Sequence, residues 1–226
     1  MKLKVYHATG TIFLKSIKLE GLKAVDIKTK FNTSSFLKLL LNSVPLDYKQ
    51  DKYQDFENEV HTSYRTIEYF INQDKELFQH GDLYANTSLT KAKDLAINRK
   101  KGSELLTYCY FLYNFCKKNN WFNSSISEDN LIESYDELFK VFDMPNSPVV
   151  LVFETDISSI SPEDSRTEDK EYIDWLRGLT STDLEREKES VRIKLKQPIQ
   201  SNDIFMHLYD GEKWSEQINL KDYCSD

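Results

Sequence analysis

The chain has 226 residues, enough for one large domain and too few for two comfortable ones. Hydrophobic residues make up 39% and aromatics 13%, which supplies a sizeable core and excludes a mostly disordered chain. Lys+Arg 30 against Asp+Glu 37 leaves a net charge of −7, which excludes a protein whose whole surface grips nucleic acid.

Residues 3–7 alternate with β-forming side chains and predict a strand. Thr11 is placed to cap a helix supported by Ile12, Ser16, Ile17 and Leu19, and Gly21 fits the left-handed position after its last turn. Residues 36–41 predict a helical turn before Pro45. Residues 56–79 read as one longer helix, with Val60, Tyr64, Ile67 and Ile71 at helical spacing and Gly81 as its stop. Residues 83–86 predict a short strand. Ser88 then stands where an N-cap belongs, ahead of a helix over 89–100 with Ala92, Leu95 and Ala96 on its buried stripe. The apolar, aromatic run 105–115 predicts a buried helix, and 131–142 an amphipathic one.

Pro148 opens a β-branched and aromatic run over 149–154 that predicts a central strand. A helix follows at 169–179 around Trp175. Val191, Ile193 and Leu195 alternate within 189–196, the pattern of a half-buried strand. Residues 204–208 predict a short strand, and Asp210-Gly211 a turn toward Lys213 and Trp214. Strands gather at both ends and helices fill the middle, an α+β arrangement with a split sheet. The whole reads as a single domain over 1–226, with helical insertions at about 25–80 and 98–147.

Charge is uneven along this plan. Residues 1–30 carry seven Lys against Glu20 and Asp26, and Lys91, Lys93, Arg99, Lys100 and Lys101 form a second basic stretch. Residues 163–189 hold ten acids against five bases. Such runs read as solvated helix faces, or as a basic face beside a ligand pocket. Cys109, Cys116 and Cys224 are odd in number and form no Cys/His cluster, so no metal is expected. They suit a reducing compartment, and Cys109 and Cys116 read as small core residues. Met1 to Lys4 lead into a strand with no signal-peptide apolar region, and no run of about 18 apolar residues occurs, so a cytoplasmic protein is expected. The GxxxxGK[ST], GxGxxG and GxSxG patterns are absent, which removes P-loop, Rossmann and hydrolase-elbow readings. His61, His80 and His207 lack metal-ligand spacing, and His61 and His80 read as surface helix residues.

Three segments stand out: Tyr6-His7-Ala8-Thr9 followed by a short helix and Glu20-Gly21-Leu22; Gly81-Asp82-Leu83-Tyr84-Ala85-Asn86-Thr87-Ser88 ahead of Ala92 and Ala96; and Glu185-Arg186-Glu187-Lys188-Glu189 before the 189–196 strand, with Gln197-Pro198-Ile199 and Asp203-Ile204 after it. In this order they resemble the His–Tyr–Glu branch of the ADP-ribosyltransferase superfamily, the diphtheria-toxin-like and poly-ADP-ribose-polymerase-like group. The resemblance covers about 70 residues, at 3–24, 81–97, 149–157 and 187–205. It implies a split-sheet fold with NAD as substrate and no metal.

By that resemblance His7 bonds a ribose, the backbone of Ala8 clamps the nicotinamide amide, Thr9 helps to hold NAD, and Tyr84 covers one face of the nicotinamide ring. Ala8 stands where the family has Gly, which adds a methyl at the clamp. Ser88 is read both as a ligand-side hydroxyl and as a helix cap. The family's catalytic Glu at the start of the last core strand falls on Glu189, with Glu187 the second choice. Cleaving the nicotinamide–ribose bond passes through an oxocarbenium-like transition state, and a carboxylate suits it by orienting the ribose hydroxyl and helping the acceptor react. The arginine-modifying branch is disfavoured, because no first-strand Arg pairs with a Ser-Thr-Ser segment.

The expectation is therefore a mono-ADP-ribosyltransferase, a transferase of the glycosyltransferase class, of the kind used as a bacterial or phage toxin. It would modify a protein or nucleic acid and be met by an antitoxin or immunity partner. The alternatives are a catalytically inactive NAD- or nucleic-acid-binding relative and an RNA 2′-phosphotransferase-like enzyme, whose pocket bases have no evident counterparts here.

Overall fold

A computed structural model describes residues 1–50, 52–72, 83–122, 127–162 and 169–223. Along the first half of the chain run β1 (Lys2–Gly10), α1 (Leu14–Glu20), α2 (Ile27–Lys30), α3 (Thr33–Ser43), α4 (Leu46–Gln50), α5 (Tyr53–Val60), α6 (Tyr64–Asn72), β2 (Leu83–Asn86) and α7 (Leu89–Asn98). Then come α8 (Glu104–Lys118), α9 (Glu128–Ser134), α10 (Asp136–Asp143), β3 (Pro148–Asp156), β4 (Ile160–Pro162), α11 (Asp169–Arg177), α12 (Ser181–Glu187), β5 (Ser190–Ile193), β6 (Phe205–Leu208) and β7 (Ile218–Asn219). The elements sort into two compact units, one from Met1–Val25, Gly81–Ser103 and Pro145–Asp226, the other from Asp26–His80 and Glu104–Met144.

The first unit holds a seven-stranded sheet in the order β4-β5-β2-β1-β3-β6-β7. All its pairings are antiparallel. The molecule is therefore mixed α/β with an antiparallel sheet. β1 and β3 pair along their whole length, from Lys2↔Asp156 to Gly10↔Pro148. β1 and β2 share only Tyr6↔Asn86.

Period-two alternation divides this sheet's side chains. Leu3, Val5, Leu83, Ala85, Leu151, Phe153, Val191 and Ile193 enter the larger core with Leu14, Ile17, Tyr172 and Leu176. On the other face Ala8, Val150 and Val152 pack with Ala92 and Ala96 of α7, and Tyr6 lies against them.

The second unit is helical, with α3 against α6 and α8, and α5 against α8. Phe36, fully buried, meets Tyr135 at 4.9 Å and Phe139 at 6.0 Å edge-on, while Phe115 meets Trp121 at 5.0 Å. Edge-to-face packing of this kind suits the opposite charges of ring face and rim. Cys109 and Cys116 are wholly buried in α8, as small core residues should be.

Several local expectations change. The helix expected over 56–79 is α5 and α6, parted at His61, whose left-handed φ of 58° ends α5; 73–79, Gly81 and His80 lie outside the described residues, as does Cys224. Exposed His61 sits against Phe111, ring centroids 4.5 Å apart. The helix expected over 131–142 is α9 and α10, parted at Tyr135. Thr11 does not cap α1: its hydroxyl accepts from Ser147 N at 2.9 Å, and a 3-10 turn over Thr11–Phe13 comes first. Leu19, counted toward the apolar stripe of α1, is 76% exposed. Gly21 has φ 81° and ψ 164°, positive but outside the left-handed helical basin. A Cβ there would sit 2.8 Å from Ile199 O, so close approach as well as φ demands glycine. Trp175 is 40% exposed, and Tyr172 and Leu176 anchor α11 instead.

Candidate active site

β1 delivers His7 to the place where its pairing with β2 gives out. Beyond Tyr6↔Asn86 it is the imidazole that reaches the neighbouring strand, with His7 Nδ1 2.6 Å from Tyr84 O. A carbonyl only accepts, so Nδ1 carries the proton and donates. Burial is the main reason that the imidazole pKa falls to about 4; the Arg99 charge lowers it further, and the bond to Tyr84 O opposes both. At neutral pH His7 is thus an uncharged ring whose Nε2 can accept a hydrogen bond from a hydroxyl.

Ala8 and Thr9 follow on the same strand, 2% and 3% exposed and paired with Val150 and Val149. The Ala8 methyl packs toward α7, in the cluster of Ala92 and Ala96. Its carbonyl accepts from Arg99 Nη1 at 3.5 Å. Tyr84 lies between Leu83 and Ala85, which enter the larger core, so alternation puts it on the face of Tyr6 and Ala8. His7 alternates with Val5 on the opposite face and meets Tyr84 through the carbonyl, not the ring. On β5 the residue opposite Tyr84 is Arg192, whose Nε donates to Pro162 O at 2.9 Å.

Glu189 directly precedes β5. Its backbone is tied to Thr87, N to Thr87 Oγ1 at 3.1 Å and O from Thr87 N at 2.9 Å. The Tyr172 hydroxyl donates to its Oε2 at 3.4 Å, and Tyr172 belongs to the larger core, so Glu189 lies on the face with which His7 alternates. Among the described residues no hydrogen bond joins Glu189 to His7. Glu187 has no share in this strand's alternation. It is the exposed last residue of α12, and its carboxylate pairs with Arg186 Nη2 at 3.3 Å. A Thr180–Asp183 capping box starts that helix and Lys188, at φ 55°, ends it, so only Glu189 enters the sheet.

Ser88 is the N-cap of α7: its hydroxyl accepts from Lys91 N at 3.1 Å and donates to Glu185 Oε1 at 3.0 Å. Glu185 also accepts from Leu89 N at 2.9 Å and Thr90 N at 3.1 Å. Burial pushes the Glu185 carboxyl up, but the bonds from Thr90, Leu89 and Ser88 outweigh it and hold the pKa below the usual range. The helix terminus is thereby satisfied by a side chain nearly a hundred residues away in sequence. Its charge helps burial to raise the Tyr6 pKa.

Sequence reasoning missed three side chains here: Arg99, Glu185 and Tyr172. Each acts across a long sequence separation, so no local spacing announces it. Arg99 had a signal as part of the second basic stretch, and Glu185 as the first residue of the third segment. His207 of β6 is held by Ser215 O at 3.0 Å from its Nδ1, away from any ligand-like cluster. No group of His, Cys, Asp and Glu suited to a metal occurs among the described residues, and none of their helices is long and apolar enough to cross a membrane. No protein-family model matches the chain, and neither a curated protein nor a solved structure does.

Proposed function

We propose that the chain is an NAD-dependent mono-ADP-ribosyltransferase on a split-sheet core of the His–Tyr–Glu type. The observation that carries the reading is His7, held as a neutral Nδ1–H tautomer by Tyr84 O at the one-pair junction of β1 and β2. The sheet is continuous there, and the narrowing of the β1–β2 pairing to a single pair supports the reading of that junction as the place where a split-sheet core would part. Glu189, on the same face and just ahead of β5, supplies the carboxylate.

In this mechanism His7 Nε2 accepts a ribose hydroxyl. The Ala8 backbone holds the nicotinamide amide beside Thr9, and Tyr84 serves through its carbonyl, which fixes the His7 imidazole. The bond from ribose C1′ to the pyridine nitrogen breaks, and nicotinamide leaves neutral with the bonding pair. Glu189 stabilises the developing positive charge, orients the 2′-hydroxyl and takes the proton that the acceptor nucleophile gives up as it bonds C1′. The acceptor is a protein or a nucleic acid.

One observation favours a second reading, a binding module without catalysis. Ala8 replaces glycine at the clamp and its carbonyl already serves Arg99. The two readings part on mass spectrometry of a lysate incubated with NAD. Acceptors should gain ADP-ribose with the wild-type protein and not with Glu189→Gln. Binding of NAD without any addition selects the second reading.

A further inference from the structure

Glu189 is a single residue between a helix stop and a strand start. α12 ends at Lys188, whose φ of 55° turns the chain out of the helix, and β5 begins at Ser190. A residue so placed takes its direction from whatever grips its peptide groups. Here the grip comes from Thr87, which follows β2 and is 4% exposed. The Thr87 hydroxyl accepts from Glu189 N at 3.1 Å and donates to Leu184 O, in the last turn of α12, at 3.2 Å. Thr87 N donates to Glu189 O at 2.9 Å. One buried threonine thus holds the end of the helix and both sides of Glu189.

The residues on either side have a separate hold. Lys91 of α7 donates from Nζ to Lys188 O at 2.9 Å and to Ser190 Oγ at 2.7 Å. Ser190 Oγ donates on to Asn86 Oδ1 at 3.3 Å, in the residue that forms the single β1–β2 pair. Ser190 precedes Val191 of the larger core, so alternation puts it on the α7 face. Lys91 therefore works from the side of the sheet away from the Glu189 carboxylate. Loss of the Thr87 hydroxyl frees a peptide between two anchored neighbours without dissolving β5.

We infer that Thr87 is a positioning residue, whose hydroxyl fixes the direction from which the Glu189 carboxylate meets the reacting ribose, and which itself touches neither NAD nor the acceptor. This rests on the reading of Glu189 as the catalytic carboxylate. A misplacement of about 1 Å at a reacting group can cost on the order of a hundredfold in rate. NAD is bound through His7 and Ala8 in that reading, so the loss falls on kcat and leaves affinity alone.

The test compares Thr87→Val, which keeps the shape and loses the hydroxyl, with Thr87→Ser, which keeps the hydroxyl. Nicotinamide release at saturating NAD, in an acceptor-containing lysate, should fall about tenfold or more in Thr87→Val and recover most of that loss in Thr87→Ser. The calorimetric Kd for NAD should be alike in all three proteins. Amide hydrogen exchange should quicken at Glu189 in Thr87→Val while Val191 and Ile193 keep their wild-type protection. Thr87→Cys, whose thiol hydrogen-bonds weakly, is the milder variant if Thr87→Val fails to fold, and its kcat should lie below that of Thr87→Ser. Wild-type kcat in Thr87→Val, a loss that Thr87→Ser shares in full, an NAD Kd that weakens in step with kcat, or unchanged exchange at Glu189 overturns the role of Thr87 and leaves the transferase reading standing. A wild type that releases no nicotinamide from NAD overturns the transferase reading and this role with it.

Discussion

A carbonyl oxygen cannot donate, so the bond between His7 and Tyr84 O sets the tautomer and leaves Nε2 as an acceptor. The titration of His7 follows. Its pKa in the folded chain is about 4, against about 6.5 unfolded. Between those values the unfolded chain binds more protons, so this contribution to stability is full above about pH 6.5 and is lost as pH falls toward 4. The loss is of order 3 kcal/mol. An NMR titration of the His7 ring should show no protonation above pH 5, and urea unfolding should show a flatter acid slope in His7→Asn than in wild type. A ring that titrates near 6.5 would contradict the burial and the bond alike. His7 was legible because a strand signal, a short helix and Gly21 surround it. Glu189 was legible only as one of several carboxylates. What separates it from Glu187 is helix α12, whose Lys188 stop at positive φ gave no apolar period to read.

At the scale of elements, local chemistry that closes on itself was readable and long-range chemistry was not. Ser88 caps α7, as its place before an alanine stripe foretells. β2 ends where expected because Thr87 and Ser88, after Asn86, interrupt the strand pattern. The single helix expected over 56–79 instead breaks at His61, a residue with no turn signature, and apolar spacing that continues past the break hid it. Glu185 is the element-scale surprise, since α12 supplies half of the cap of α7. Glu185→Ala leaves Leu89 N and Thr90 N without their acceptor and should cost about 1–2 kcal/mol. Thermal unfolding should then show Tm lowered by about 2–8 °C. Glu187→Ala, at an exposed site, should leave Tm nearly unchanged; an equal drop in both variants would show that Glu185 is no more than surface charge.

Across the whole molecule, the antiparallel sheet and the helical second unit follow from where the β-branched runs and the aromatic runs fall in the chain. The sheet order does not, because β2 and β5 pair across more than a hundred residues and short β4 and β7 carry too few side chains to show alternation. If the β1–β2 junction takes NAD, the ligand binds only the folded chain and must stabilise it. At a free concentration a hundredfold above Kd the gain is about 2.7 kcal/mol, visible as a rise in Tm that nicotinamide alone does not reproduce at the same concentration. The account stands most directly on nicotinamide release from NAD, followed by chromatography for wild type, His7→Asn and Glu189→Gln. Wild type should release nicotinamide in an acceptor-containing lysate, Glu189→Gln should bind NAD without releasing it, and His7→Asn should bind NAD more weakly. Release that persists at the wild-type rate in Glu189→Gln, or a wild type that neither binds nor cleaves NAD, would contradict it.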